Sequence, residues 1–138
     1  MKNSSNIIID TGFIYALYYK KDLNHQKAKE AAIKYNNLEW LTTCFVFHEA
    51  FWLLHEIDPI QIFQAERAGI FRLVHFERSQ LLGIEKIVEK YADRQIDLAD
   101  ASLIYLAEQL GHGNILSTDI NDFTVYRWNR TNSFQILL

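Results

Sequence analysis

Hydrophobic positions along the chain form two kinds of pattern that alternate from one end to the other. Short, continuous apolar runs predict strands at residues 6–9, 39–43, 71–76, 114–117 and 134–138. Strands that are apolar on consecutive residues are typical of a parallel sheet with both faces covered by helices. Between these runs, apolar residues recur at helical spacing. The alternation predicts a layered α/β fold with right-handed crossovers.

The helical stretches carry signals that mark their ends. Helices are predicted at residues 11–19, 25–35, 44–57, 60–68, 77–91 and 98–110. Asn24 and Asp97 are candidates to cap two of the helix starts, and Gly111 ends the last helix. Either Thr42 or Thr43 is expected to cap the helix that begins at residue 44. In helix 77–91, five side chains are expected to face inward: Leu81, Leu82, Ile84, Ile87 and Val88.

Composition limits the class of protein. The 138 residues include 49% hydrophobic and 22% charged residues, which fits one folded domain over residues 1–138. The net charge is −3, so a nucleic-acid partner would need a local basic patch or a bound metal. No signal peptide or membrane-spanning run is apparent, and the single cysteine fits a reducing compartment. We therefore expect a cytoplasmic protein without a membrane segment.

Two acidic residues in the first half of the chain occupy unusual positions. Asp10 follows the first predicted strand, at the carboxyl edge of the sheet, where α/β folds place ligands. The alternative is that Asp10 caps the helix that begins next. In helical projection Glu49 neighbours Phe45 and Trp52, in the middle of an apolar stripe. Because buried glutamates are rare, a functional role is favoured over a carboxylate that reaches the rim or pairs with a basic residue.

Four aspartates surround one helix and the strand that follows it. Asp97 is placed to cap this helix, and Asp100 lies in its first turn, where acids satisfy free N–H groups and suit the helix dipole. Asp100 nevertheless falls on the inward, apolar face of the helix. Asp119 and Asp122 follow the strand at residues 114–117, and acidic turns after strands are common. Here, however, the turn falls at the same sheet edge as the first aspartate.

A cation would explain why these acids gather. Three or more carboxylates at one sheet edge repel one another unless a hard cation neutralises them. Ligands that are all oxygen indicate Mg²⁺ or Mn²⁺, and the five histidines show no paired spacing that would indicate Zn²⁺. The residues therefore predict a divalent-cation site at the carboxyl edge of the sheet.

The order of the acidic motifs resembles that of a known family. IIIDTG, TTCFVFHEAFWLL, DLADASLIYLAE and LSTDINDF follow one another as in the PIN-domain ribonucleases. Within this family, the chain is most similar to the small VapC-like toxins of toxin–antitoxin pairs, over essentially its whole length. The resemblance implies a three-layer α/β/α sandwich around a central, mainly parallel sheet of about five strands.

The resemblance also implies a site and a reaction. The four catalytic and metal-binding acids of the family correspond to Asp10, Glu49, Asp100 and Asp119. Asp97 and Asp122 match additional acidic positions, and Thr11 and Ser117 match supporting hydroxyl residues. The implied activity is that of an endoribonuclease using one or two Mg²⁺ or Mn²⁺ ions and leaving 5′-phosphate and 3′-hydroxyl ends. The implied partners are an RNA substrate and a small antitoxin protein.

Other side chains suggest contacts outside the acid set. Four cationic residues are candidate RNA contacts: Lys20, Lys21, Arg127 and Arg130. For the lysines a solvated helix face is favoured, whereas Tyr126 and Trp128 could stack on RNA or simply pack at the edge. Aromatic residues at positions 45, 47, 51 and 52 exceed what one inward helix face needs, which suggests an antitoxin or homodimer surface. Cys44 is expected in the core rather than as a nucleophile.

Two alternatives to the nuclease follow from the same strand-end acid and the same fold. A phosphotransfer domain of the haloacid-dehalogenase or receiver type also places an aspartate at a strand end. However, Asp10 is followed by Thr-Gly-Phe, without a second aspartate two residues on, and no acid precedes it. A protein-binding module could use this fold without catalysis, although the complete acid set argues against that function.

Overall fold

A parallel sheet forms the centre of the molecule. The structure, a computed structural model, describes residues 5–138. Over this range the chain forms seven strands: β1 (Asn6–Ile9), β2 (Glu39–Thr43), β3 (Arg72–Val74), β4 (Asn114–Leu116), β5 (Arg127–Trp128), β6 (Asn132–Ser133) and β7 (Gln135–Ile136). Five of them pair in parallel in the order β3-β2-β1-β4-β7, and β5 and β6 form a separate antiparallel pair.

Helices flank the sheet. They are α1 (Thr11–Tyr18), α2 (His25–Lys34), α3 (Cys44–Leu53), α4 (Ile60–Arg67), α5 (Leu81–Lys90), α6 (Leu98–Leu110) and α7 (Ile120–Phe123). The predicted three-layer α/β/α sandwich with five parallel strands is confirmed. None of the helices described is long and apolar enough to cross a bilayer. The predicted lack of a signal peptide concerns in part residues 1–4, outside the described range, and the cytoplasmic location stays a prediction.

The central position of β1 follows from its sequence. Ile7, Ile8 and Ile9 are all fully buried, as expected for a strand with helices against both faces. β1 lies between β2 and β4, and Ile9 pairs with Leu116. The first residues after β1 and β4 are therefore neighbours at the carboxyl edge of the sheet.

The predicted helix ends are confirmed in part. The Thr43 hydroxyl accepts a hydrogen bond from the Val46 amide and caps α3, and Gly111 ends α6 with a left-handed φ of 80°. Asn24 occupies the N-cap position of α2 as predicted, but its side chain makes no capping hydrogen bond. Its backbone is not extended (φ −97°, ψ 10°), and the Asp22 carboxylate instead accepts a bond from the Asn24 amide.

The predicted inward faces of two helices need correction. Leu81 and Leu82 are exposed, because α5 begins only at Leu81 and packs through the face that carries Ile84 and Ile87. Leu82 lies on roughly the opposite side of the helix from Ile84, since residues two apart differ by about 200°. Cys44 is exposed rather than in the core, because the buried face of α3 begins two residues later.

Gly113, just before β4, offers a test of the packing. A Cβ atom there would lie 2.5 Å from Nε1 of Trp128 and 3.2 Å from the backbone of Phe134. We expect Gly113→Ala to destabilise the fold by about 1–3 kcal/mol and to change tryptophan fluorescence, because the strand segments must move apart.

Gly111→Ala is the matched control for this substitution. It meets no atom within 4 Å and costs only left-handed backbone strain of about 1–2 kcal/mol. Urea unfolding and fluorescence spectra compare the two variants. A Gly113→Ala protein with wild-type stability and spectrum would contradict the described packing of Trp128.

Candidate active site

The ends of β1 and β4 bring Asp10 and Ser117 into contact. The Ser117 hydroxyl donates a hydrogen bond to Oδ2 of Asp10 at 2.5 Å, and Asp10 is only 4% exposed. The other carboxylate oxygen, Oδ1, accepts a bond from the Phe13 amide at 2.9 Å and so caps α1. Asp10 is therefore both a helix cap and a buried acid at the sheet edge, so the two interpretations of its position are compatible.

Glu49 reaches the same edge from α3. The Thr11 hydroxyl donates a bond of 2.6 Å to Oε1 of Glu49. Glu49 is only half-buried, and the neighbouring Trp52 is 59% exposed. The predicted burial of Glu49 within an apolar stripe is therefore wrong. The buried face of the helix is narrower than its apolar pattern suggested and runs through Val46 and Ala50.

The start of α6 contributes two acids with different roles. Asp97 caps the helix as predicted, because its Oδ1 accepts a bond of 2.8 Å from the Asp100 amide. The Asp100 carboxylate turns toward the interior, where its Oδ2 accepts a bond of 3.0 Å from the Tyr126 hydroxyl. Tyr126 is buried, which favours the packing alternative over stacking on RNA. The sequence carries no local signal for this contact, which spans 26 residues.

The turn after β4 carries the remaining acids. The Asp119 amide donates to the Ser117 hydroxyl at 2.9 Å, and Oδ1 of Asp119 accepts a bond from the Asp122 amide at 3.0 Å. Carboxylate oxygens of Asp100, Asp119 and Asp122 lie within 4.8 Å of one another. Asp122 also forms a 2.6 Å ion pair with Arg94, which sequence reasoning missed.

One cavity of about 270 Å³ lies at this edge of the sheet. It is lined by Asp10, Thr11, Gly12, Glu49, Leu53, Asp97, Asp100, Thr118 and Asp119. All four acids predicted as the site are thus brought together, with Asp97 beside them. Asp122 is held next to the cavity by its arginine and does not line it.

Three of the acids at this edge have raised pKa values, and burial is the largest cause for each of them. Burial raises the pKa of Asp10 to about 7, against the opposing hydrogen bonds from Ser117 and the Phe13 amide. Burial, and next the nearby charge of Asp97, raise the pKa of Asp100 to about 8. Burial also raises the pKa of Asp119. Without a cation, the cavity therefore holds protons near neutral pH.

Asp122 is the exception among the acids of this region. The hydrogen bond from Arg94 lowers the pKa of Asp122. Among the residues that the structure describes, ion pairs are formed by Asp122 with Arg94 and by Glu39 with Arg72. The acids that line the cavity therefore have no basic partner in the described part of the chain, so a bound cation would meet uncompensated carboxylates.

The candidate RNA contacts do not line the acid cavity. Lys20 and Lys21 line a larger cavity of about 600 Å³ beyond the C-terminal end of α1, whereas Asp10 caps the N-terminal end of that helix. The Arg127 guanidinium donates to three backbone carbonyls of residues 124–126, which favours the edge-packing alternative. Arg130 is exposed in a left-handed conformation. A role of these residues in RNA binding stays a prediction.

The chain is similar to known proteins in both sequence and fold. The sequence profile of the PIN domain matches residues 7–128. The structure is similar to the crystal structure of Mycobacterium tuberculosis VapC20, a toxin that cleaves the sarcin–ricin loop. The TM-score is 0.70 and the sequence identity 20%, over 83% of this chain and 91% of that one. No curated protein sequence matches significantly.

Proposed function

Because the chain belongs to the PIN domain family, we propose that it is a Mg²⁺- or Mn²⁺-dependent endoribonuclease. One observation carries the proposal: four acids from four separate segments, Asp10, Glu49, Asp100 and Asp119, line a single cavity at the carboxyl edge of the sheet. An acid cluster assembled only to cap helices would not need to converge from α3, α6 and the ends of β1 and β4.

The donor set suits a hard divalent cation. All four side chains offer oxygen, which Mg²⁺ and Mn²⁺ prefer. Burial raises the pKa of Asp10 and of Asp100, and a cation is what would replace their protons. We propose these four acids as the groups that hold one or two ions. Asp97 and Asp122 are weaker candidates, since the first caps α6 and the second pairs with Arg94.

The neighbouring hydroxyls and amides fix the acids before substrate arrives. Thr11 donates to Glu49, and Ser117 donates to Asp10 while accepting from the Asp119 amide. The chemistry that a bound divalent cation supplies to phosphodiester hydrolysis is polarisation of a phosphoryl oxygen and a lower pKa for the attacking water. Because these side chains are already oriented, little reorganisation opposes the reaction.

The partners follow from the same proposal. Since VapC20 is a toxin of similar fold, we propose that this chain is the toxin of a toxin–antitoxin pair, bound by a small antitoxin. The exposed side chains of Trp52, Ile60 and Phe63 support a protein interface, either for the antitoxin or for a homodimer. Mass measurement in solution distinguishes a monomer from a dimer.

Cleavage of RNA by the purified protein tests the proposed reaction. With Mg²⁺ or Mn²⁺ present, we expect internal cuts that leave 5′-phosphate and 3′-hydroxyl ends, and with EDTA we expect none. The ends are read by ligation and by phosphatase sensitivity of the fragments. Folded protein that binds Mn²⁺ but cuts no RNA would favour a protein-binding module. Fragments with 2′,3′-cyclic phosphate ends would contradict the proposed chemistry.

A further inference from the structure

The residue that holds Asp100 comes from a different part of the chain. Tyr126 follows α7 and is only 2% exposed. Its ring packs against Tyr91 and Phe123 at centroid distances of 5.2 and 5.1 Å, and its hydroxyl donates to Oδ2 of Asp100 at 3.0 Å. The packing of the ring fixes the hydroxyl, so the donor cannot follow the carboxylate if the carboxylate turns.

The same residue is also tied to the turn that carries the other aspartates. The Tyr126 amide donates to the backbone carbonyl of Asp122 at 3.0 Å, and the Asp122 amide in turn donates to Oδ1 of Asp119. Tyr126 therefore bonds to Asp100 through its side chain and to the Asp119–Asp122 turn through its backbone. It links the acid of α6 to the acids that follow β4.

We propose that Tyr126 is a positioning residue that sets the orientation of the Asp100 carboxylate for cation binding, an inference that rests on the proposed function. The torsion that turns an aspartate carboxylate is broad, so the side chain needs an outside partner to fix it. A phenol is protonated at neutral pH and occupies one carboxylate oxygen as a donor, which leaves the other oxygen for a cation. Such partners of metal ligands typically change metal affinity or activity about 10–100-fold.

Tyr126→Phe tests this role, because it removes the hydroxyl and keeps the ring. We expect the dissociation constant for Mn²⁺, measured by calorimetry without RNA, to rise about 10-fold or more. At limiting Mn²⁺ we expect kcat for RNA cleavage to fall while KM for RNA stays unchanged. Saturating Mn²⁺ should restore most of kcat, since the defect lies in holding the ion.

Tyr91→Phe is the matched control. The Tyr91 hydroxyl accepts a bond from the Arg127 amide at 2.8 Å, and its ring belongs to the same aromatic cluster, but within the described part of the chain it makes no hydrogen bond to an acid of the cavity. We expect this variant to lose similar stability and to bind Mn²⁺ like the wild type. Each titration is run well below the melting temperature of that variant, so that unfolding does not affect the comparison.

The outcomes separate this inference from the proposed function. If the wild type binds Mn²⁺ and cleaves RNA, but Tyr126→Phe binds Mn²⁺ within twofold of the wild type, the positioning role is wrong and the nuclease stands. Equal weakening in Tyr91→Phe and Tyr126→Phe would also overturn it, because general loosening would then explain the effect. A wild type that binds no Mn²⁺ overturns the proposed site, and this role with it.

Discussion

Asp10→Asn is expected to abolish most RNA cleavage while making the metal-free protein more stable at pH 8. The proposed site loses a direct ligand, and even outer partners of metal ligands cost about 10–100-fold, so we expect a loss of at least about 100-fold. The amide keeps an acceptor for the Phe13 N–H and a polar group facing Ser117, which preserves the cap of α1.

The gain in stability follows from the burial of Asp10. Its pKa is about 7 in the folded protein, above the ordinary value of 3.8, so the folded state binds more protons between those pH values. The contribution of Asp10 to the stability of the metal-free wild type therefore falls as pH rises from about 4 to 7 and stays low above that. Asparagine carries no charge, so at pH 8 we expect the variant to gain about 2–4 kcal/mol, since a tenfold change in an acid constant is worth about 1.4 kcal/mol.

Urea unfolding in EDTA and RNA cleavage in Mn²⁺ measure the two effects. Asp93→Asn is the control, because it makes the same chemical change at an exposed residue that does not line the cavity. If Asp10→Asn cleaves RNA at the wild-type rate, then Asp10 does not belong to the site. If the metal-free Asp10→Asn protein is less stable than the wild type at pH 8, then the buried charge of Asp10 does not destabilise the wild type as described.

Binding of Mn²⁺ should depend strongly on pH. Asp10 and Asp100, with pKa values of about 7 and 8, must lose their protons before they can bind a cation. The raised values mean that protons compete with the metal throughout the neutral range. Between pH 8.5 and pH 6, proton competition should weaken the apparent affinity about 10-fold through Asp10 and nearly 100-fold through Asp100, so we expect a total loss of roughly 100–1,000-fold, with proton release on binding.

Calorimetry in buffers of different ionisation enthalpy measures both the affinity and the protons released. The stabilisation of the protein by Mn²⁺, seen as a rise in Tm, should shrink over the same pH range. Asp93→Asn again serves as the control and should follow the wild type. An affinity that is the same at pH 6 and pH 8.5, with no proton release, would show that these buried acids do not hold the ion.

The parts of the site that sequence predicts well are those set by strand ends. Asp10 and Asp119 follow buried strands directly or within three residues, and parallel strands bring their carboxyl ends to one edge of the sheet. The helix cap at Asp97 depends only on residues within one turn, and it too is confirmed. Local chemistry and the alternation of elements are sufficient for these features.

Contacts between distant segments were beyond the sequence patterns. The Tyr126–Asp100 bond and the Arg94–Asp122 ion pair join residues 26 and 28 positions apart, and no periodicity encodes how the intervening segments fold. The predicted burial of Glu49 was wrong for a related reason. An apolar stripe on a helix does not show which of its edges the sheet covers. Sequence therefore identified the acids but not the groups that hold them.

In the proposed mechanism, the acid cavity binds a divalent cation and uses it to cleave RNA. The most direct test of this mechanism is the rate of RNA cleavage as a function of Mn²⁺ concentration, for the wild type and for Asp10→Asn. The wild type should show saturable activation, with a midpoint equal to that of its thermal stabilisation by Mn²⁺, and the variant should stay near background. RNA cleavage that does not depend on Mn²⁺, or that is equal in both proteins, would contradict this mechanism.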